Sequence, residues 1–394
     1  MRSPVCGKVA EGVRSTVAGV NTDIDARADA LLGGPRGRAL CAAAVGLDAH
    51  RLLTALARPV SAVTLRSIEE TNAGRPGWPP AGWPELSDRD PGSAPTVEKV
   101  VGRHVADVDL AVLSATDDPW TLLAVLAEAV DDWAFSDEDV DAAVALGEAP
   151  EVLAPVAVAL AMAPGAAWWW SPARLDAQRL VAWAAKSGLP LLTGAADALG
   201  AYSRAEAASE ARSADMVPFP PGAHAPHFGG MWWSAPHEAG LFGTTRAMQR
   251  LAAVQLAICE DFPGNGPFDV YDVGIDSSAR VYEVDGPDAW CALAEEFPRD
   301  VTLSRRHDWW RWTGWEGRWL IPDWSAVATS YDGVHLSVAG HLQASYRALP
   351  VADGACTCIA GWDPDETRWL NDVIKSAKLA ARWDGRIGRN LFSR

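Results

Sequence analysis

The sequence lacks the short motifs that mark several common enzyme classes. It contains no G-x-S-x-G nucleophile elbow and no Walker A loop, and no G-x-G-x-x-G segment follows a predicted strand. The segment HEAGL at 237–241 has no second histidine, so it does not complete the H-E-x-x-H zinc motif. These absences exclude the usual serine-hydrolase, P-loop and zincin interpretations.

Basic residues are absent from a long stretch of the first half. No lysine or arginine lies between His104 and Ala173, whereas thirteen acidic residues lie from Asp107 to Glu151, in a chain with a formal net charge of −17. Such a surface repels phosphate backbones, so we expect no nucleic-acid binding there. A solvated acidic helical face explains the pattern, and a docking surface for a basic protein partner over 107–151 is the alternative.

Cysteines are few and scattered. Cys356 and Cys358 are the one close pair among the six, and no C-x-x-C motif completes a zinc site. No apolar run follows the N-terminus, and the uncharged stretch 152–172 is rich in alanine and interrupted by prolines. We therefore expect reduced thiols, a cytoplasmic location and a buried helix over the first part of 152–172, with a membrane helix there as the alternative.

The chain is rich in hydrophobic residues and in tryptophan. Hydrophobic residues make up 49% of the 394 positions, enough for a packed interior, and the length allows two domains. Tryptophan occurs 20 times, against 8 phenylalanines and 5 tyrosines. Together with abundant alanine and scarce lysine, this balance is typical of a GC-rich bacterial genome.

The two halves of the chain differ in hydrophobic pattern. Residues 1–211 show mostly helical spacing, including a helix predicted over 171–188 with Ser171 as its cap. The segment 212–232 is rich in proline and glycine and is predicted to be a hinge. From 233 to 394, alternating stretches such as FDVYDVGI indicate strands between short helices. The predicted fold class is α+β, with a helical N-terminal domain followed by a small mixed-sheet domain.

The run SRRHDWWRWTGWEGRW at 304–319 is the most informative window. It joins Arg305, Arg306 and His307 to tryptophans that include Trp310. Guanidinium groups bind phosphate or carboxylate, indole faces stack on rings, and a histidine beside an acid titrates near neutral pH. The run therefore predicts an anion- and ring-binding loop, or alternatively an edge hairpin whose tryptophans cover the core.

A group of histidines suggests a second kind of chemistry. His224, His227 and His237, with Glu238 beside the last, have a spacing that could hold Zn²⁺ with an open position. The segment is a proline- and glycine-rich loop, in which imidazoles often lie in solvent without a role. A metal-dependent enzyme centred on these histidines is thus an alternative hypothesis, and no metal is assigned.

The second half also carries turn motifs that form a recognisable order. A strand and a helix with Trp290 precede the turn Tyr331-Asp332-Gly333-Val334, and a later strand ends in Trp362-Asp363-Pro364. This order over 240–370 resembles ADP-ribosyltransferase-like domains. The resemblance implies NAD as the ligand and Arg246 in GLFGTTRA as the arginine that holds it. The strand at 355–360 reads ACTCIA and has no counterpart of the family's catalytic glutamate.

These observations combine into one functional prediction with alternatives. We expect an enzyme that binds a nucleotide-type anionic ligand such as NAD and acts as a transferase or hydrolase. The residues predicted to bind the ligand are Arg246, Arg305, Arg306 and Trp310, with His307 as proton carrier and Glu283 or Glu366 as catalytic carboxylate. The alternatives are the metal-dependent enzyme and a non-catalytic protein-interaction module of a bacterial gene cluster, to which exposed Trp and Arg would contribute.

Overall fold

The fold is α+β, as the sequence predicts. The computed structural model describes residues 22–56, 95–130, 137–183, 192–214, 231–237, 240–248, 250–260 and 267–392. Within these ranges, helices come first and a region with a seven-stranded mixed sheet follows. Most of the predicted hinge lies outside the described residues, at 215–230, and so does the proline- and glycine-rich passage 71–94. The hinge and the domain boundaries therefore stay predictions.

The N-terminal region is built from short helices. Asp118 caps the sixth of them by accepting a hydrogen bond from the Trp120 amide at 3.2 Å, with Pro119 in the first turn. The helices are α1, residues 22–33; α2, Pro35–Ala44; α3, Ala49–Ala55; α4, Val97–Ala106; α5, Leu110–Ser114; α6, Pro119–Val130; α7, Asp137–Leu146; and α8, Pro150–Met162. A 3-10 helix over Pro164–Trp170 follows α8 and carries three tryptophans.

The apolar stretch that raised the membrane question forms α8 and this 3-10 helix. Among the described residues, no single helix has the length and composition needed to cross a membrane. One pair of helices within the described residues, Val140–Leu146 and Pro150–Met162, has that length and composition only when the two are taken together, and the pair is bent by 93°. In the structure, Leu153, Val156 and Leu160 of α8 are fully buried in the N-terminal core.

The sheet gathers strands from both halves of the chain. Its order is β11-β3-β1-β2-β10-β7-β4, and neighbours are antiparallel except the parallel pair β4 and β7. These seven strands are β1, Gln178–Trp183; β2, Phe242–Arg246; β3, Phe268–Ile275; β4, Val281–Val284; β7, Gly333–Leu336; β10, Glu366–Trp369; and β11, Ile374–Trp383. Two small ladders pair β5, Pro298–Asp300, with β6, Leu320–Pro322, and β8, Leu349–Pro350, with β9, Cys356–Thr357.

Helices pack beside the sheet and complete the second half. They are α9, Ala195–Ser213; α10, Pro287–Glu296; α11, Thr302–Thr313; α12, Trp324–Ser330; and α13, Val338–Ala344. One apolar core joins Val284, Val334 and Leu336 of the sheet to α9, α10 and α12. Burial of these alternate strand residues against helices holds one face of the sheet in place.

Two predicted elements are wrong. The segment 171–188 is predicted to be a helix, but its described part, 171–183, contains no helix and Gln178–Trp183 forms β1 between β2 and β3. All six residues of β1 pair with β3, and Gln178 and Arg179 pair with β2 as well, which outweighs the local helical spacing. The run 304–319 is neither a loop nor a hairpin, because most of it lies in α11. Arg305, Trp309 and Trp312 share one side of this helix at spacings of four and three.

A buried polar cluster connects the N-terminal helices to the second half. Arg36 of α2 is fully buried and its Nη2 lies 2.6 Å from Glu260 Oε1. Glu260 also accepts hydrogen bonds from the Tyr346 hydroxyl at 2.8 Å and the Trp362 amide at 3.2 Å. Arg36 Nη1 donates to the Ala129 carbonyl at the end of α6 at 2.8 Å. The two regions thus share charged contacts as well as apolar ones.

Candidate functional site

Polar side chains line up across four neighbouring strands of the sheet. Glu283 of β4 is opposite His335 of β7, His335 is opposite Thr367 of β10, and Thr367 is opposite Thr244 of β2. Residues opposite each other in a sheet project from the same face. Arg246, two residues beyond Thr244 on β2, therefore projects from this face as well. The register alone brings ionisable groups from distant parts of the chain together.

Three of these side chains, together with that of Asp365 just before β10, form a continuous chain of ionisable groups, which we call the polar array. Its members are Glu283, His335, Asp365 and Arg246. Glu283 Oε2 lies 2.5 Å from His335 Nδ1, and His335 Nε2 lies 3.5 Å from Asp365 Oδ1. Arg246 Nε donates to Asp365 Oδ1 at 2.6 Å, and the Arg246 amide donates to Asp365 Oδ2 at 2.9 Å. The array thus alternates acid and base over four residues.

Asp365 is held in an uncommon backbone conformation. Its φ is 63°, in the left-handed region that few residues other than glycine adopt. The conformation directs one carboxylate oxygen to the Arg246 guanidinium and the other to the Arg246 amide. Aspartate tolerates this region better than most residues, and such strained positions recur at functional sites.

The array is almost entirely buried, with one open end. The side chain of Glu283 is 32% exposed, whereas that of His335 is 1% exposed and that of Asp365 is fully buried. The Ala173 amide donates to Glu283 Oε1 at 3.0 Å, which fixes the carboxylate from its second oxygen. A molecule arriving from solvent therefore meets Glu283 first.

His335 carries a proton more readily than an ordinary histidine. Burial alone would lower its pKa, but the carboxylates of Asp365 and Glu283 outweigh burial and raise the pKa above its usual value. A cationic His335 between two carboxylates, one of them paired with Arg246, leaves the four groups with balanced charge. Such a perturbed titrating group in a buried array is typical of catalytic sites.

Two polar atoms around the array have no hydrogen-bond partner among the described residues. They are Thr367 Oγ1 and the indole nitrogen of Trp168. The Trp168 ring covers the Arg246 guanidinium, whose central carbon lies 5.1 Å from the ring centroid. Buried polar atoms are nearly always hydrogen-bonded, so an unpaired group of this kind points to a water or a ligand.

The second predicted carboxylate, Glu366, lies on the opposite face of β10. Its Oε2 accepts a hydrogen bond from Arg368 Nε at 3.0 Å. Burial raises the pKa of Glu366 to about 8 despite the nearby arginine. A Cβ on Gly243 of the neighbouring strand would collide with Glu366 Oε1, so a larger residue at this position of β2 would require the Glu366 side chain to move. Glu366 thus packs away from the polar array.

The residues predicted on the 304–319 run lie apart from the array, on α11. Arg305 is fully buried and forms two hydrogen bonds with Glu206 of α9, at 2.7 and 2.8 Å. His307 is also buried, and burial together with the charge of Arg306 lowers its pKa. Arg306 and Trp310 are half-buried. The charge of Arg305 is therefore already neutralised by a carboxylate within the protein.

The histidine group is only partly visible. His224, His227 and Glu238 lie outside the described residues. His237 is exposed, and its Nε2 atom lies 3.0 Å from the Gly361 carbonyl oxygen and donates to it. Within the described ranges, no group of three or more His, Cys, Asp or Glu side chains is placed to hold a metal ion.

Sequence analysis thus identified two of the four array members. Glu283 and Arg246 were predicted, as a carboxylate and a ligand-binding arginine, and the structure brings them to one site. It missed His335 and Asp365, which lie in or beside the quoted motifs YDGV and WDP. The missed signal is an ionisable residue inside a hydrophobic strand, as in Val334-His335-Leu336.

Comparison with protein-family models, with curated proteins and with solved structures finds no match for this chain.

Proposed function

We propose that this protein is an enzyme that transfers protons at the polar array while it acts on a nucleotide-type substrate such as NAD, in the manner of ADP-ribosyltransferase-like enzymes. The observation that carries the proposal is the geometry of the array. One carboxylate at the surface is coupled through a buried histidine to an aspartate and an arginine. The substrate class follows from the resemblance over 240–370.

The four residues have distinct roles in this proposal. Glu283 is the catalytic residue that contacts the substrate, since it is the exposed member. His335 holds a proton at Nδ1 toward Glu283 and supplies that proton to the carboxylate when the reaction requires it. Asp365 and Arg246 are positioning residues that keep His335 oriented and balance its charge. A carboxylate held from both oxygens suits the stabilisation of positive charge on a sugar ring.

The arginines predicted to bind phosphate do not fit that role. Arg246 is paired with Asp365 and Arg305 with Glu206, all four side chains being buried. Binding a phosphate through either arginine would leave a buried carboxylate without its partner, at a cost of several kcal/mol, on the order of 3–5. Within this proposal the substrate therefore contacts Glu283, the exposed member of the array.

Replacing Glu283 with glutamine should abolish most activity and leave the fold intact. The amide can still accept the Ala173 hydrogen bond, but it cannot exchange a proton with His335. We expect turnover to fall by about 10²–10⁴-fold. The assay is release of nicotinamide from NAD, followed by chromatography, beside a panel of other nucleotides. Melting temperature reports the fold.

Glu98→Gln is the matched control, because Glu98 is exposed on α4, away from the array. It should keep full activity. Full activity in Glu283→Gln, or a wild-type protein that turns over neither NAD nor any nucleotide of the panel, would contradict the proposal.

A further inference from the structure

A second feature of the molecule is a cleft that shares no residue with the polar array. It lies between α2, α7, the C-terminal end of α11 and residues 346–348, and has a volume of about 460 Å³. This volume lies within the range of small-molecule sites. The charged and aromatic residues that line the cleft are Arg38, Glu148, Trp312, Tyr346 and Arg347.

Two arginines give the cleft its charge. Arg38 Nη1 donates to the Leu32 carbonyl at 2.9 Å, and Arg347 Nη1 donates to the Gln343 carbonyl at 2.8 Å. Neither guanidinium forms an ion pair with any carboxylate among the described residues. This is unlike Arg36, Arg246 and Arg305, each of which has a buried carboxylate partner.

The two guanidinium groups also act on each other. Burial is the main cause that lowers the pKa of Arg38, and the charge of Arg347 lowers it further. Burial lowers the pKa of Arg347 as well. The Nε atom of Arg38 is buried and has no hydrogen-bond acceptor among the described residues. Two like charges in one cleft, neither of them in an ion pair among the described residues, favour an anion between them.

The net charge of the residues that line the cleft is opposite in sign to the net charge of the whole chain. Glu148 at its exposed rim contributes one negative charge, which leaves the lining with an excess of one positive charge. The chain as a whole carries a net charge of −17. A local positive site in an acidic protein concentrates small anions against the overall repulsion.

An aromatic wall lies beside the arginines. The rings of Trp312 and Tyr346 pack against each other with centroids 4.9 Å apart, and both residues line the cleft. The Tyr346 hydroxyl donates to Glu260, which fixes that ring from behind. The half-buried indole of Trp312 therefore rests on a rigid support and presents a ring surface to the cleft.

We propose that this cleft binds a small compound that combines a planar ring with a phosphate or carboxylate group. The anionic group lies between the guanidinium groups of Arg38 and Arg347, and the ring packs on Trp312. The proposal does not depend on the reaction proposed for the polar array. Trp312, a member of the 304–319 run, contacts the ring of the ligand. Arg38 and Arg347, which lie outside that run, bind its anionic group.

Calorimetric titration of the full chain with three probes tests the proposal. The probes are AMP, which has a ring and a charge; adenosine, which has only the ring; and inorganic phosphate, which has only the charge. We expect AMP to bind at least tenfold more tightly than either of the others, with an affinity that falls as salt is added. The variants are Arg347→Gln, Arg347→Lys and Trp312→Ala.

Arg347→Gln and Trp312→Ala should each weaken AMP binding by tenfold or more, and Arg347→Lys should lie between wild type and Arg347→Gln. Arg103→Gln, at an exposed arginine of α4, is the control and should bind like wild type. Melting temperatures identify any variant that fails to fold, in which case the remaining two decide.

Three results would overturn the proposal: no binding of AMP, equal binding of AMP and phosphate, or unchanged AMP binding in both Arg347→Gln and Trp312→Ala. AMP binding that Glu283→Gln weakens, while Arg347→Gln and Trp312→Ala leave it unchanged, would place AMP at the polar array and would likewise overturn the proposal.

Discussion

Replacing Arg36 with methionine should lower the free energy of unfolding by about 3–5 kcal/mol. The guanidinium is fully buried, 2.6 Å from Glu260 and 2.8 Å from the Ala129 carbonyl. Methionine fills much of the same volume but removes the guanidinium that balances the Glu260 charge, which keeps its contacts with the Tyr346 hydroxyl and the Trp362 amide. A buried charge without its partner is strongly destabilising, whereas loss of both charges is often tolerated.

Denaturant unfolding of Arg36→Met and of the double variant Arg36→Met/Glu260→Gln measures this effect. The double variant should recover a large part of the loss, because the unpaired charge is gone. Arg103→Met, at an exposed position, should stay within about 0.5 kcal/mol of wild type. A loss below about 1 kcal/mol in Arg36→Met would show that the cluster does not join the two regions energetically.

The second large effect concerns neighbouring tryptophans on α11. Trp309→Ala should cost about 3–5 kcal/mol of stability, as large aromatic deletions in a core do. The Trp309 side chain is fully buried, its ring meets Trp319 edge-on at 5.1 Å, and its nitrogen donates to the Trp232 carbonyl at 2.9 Å. Trp310, one position along the helix, is half-buried, so Trp310→Ala should cost less than half as much.

Chemical unfolding of both variants distinguishes a helix from the hairpin expected from sequence. In a strand, Trp310 and Trp312 would share a face and Trp309 would lie on the other. Equal losses in Trp309→Ala and Trp310→Ala, or a larger loss in the second, would contradict the helical placement.

Strands with clear alternation were predictable from sequence, and elements decided by distant partners were not. FDVYDVGI and ARVYEVDG, with their alternating β-type residues, contain β3 and β4. The segment 178–183 has helical spacing locally, yet pairing with β2 and β3 makes it a strand. The run at 304–319 is crowded with charges and indoles, whose burial depends on α9, since Glu206 neutralises Arg305 there.

The candidate site was predictable to the same limited degree. Glu283 and Arg246 stood out because they are charged residues within strand-like segments. Nothing in the sequence fixes the register that sets His335 opposite Glu283, or the left-handed turn that directs Asp365 to Arg246. The cleft was missed because Arg38 and Arg347 are more than 300 residues apart in the sequence and meet only through packing.

The proposed role of the polar array depends most directly on the raised pKa of His335 between the carboxylates of Asp365 and Glu283. An NMR titration of the histidine ring signals tests it, with His335→Asn identifying the signal of interest by its loss. The account predicts a midpoint for His335 above the ordinary value of about 6.5 and a downward shift in Glu283→Gln, where one carboxylate is gone and burial acts more strongly. A wild-type midpoint at or below about 6.5, or a midpoint unchanged in Glu283→Gln, would contradict the account.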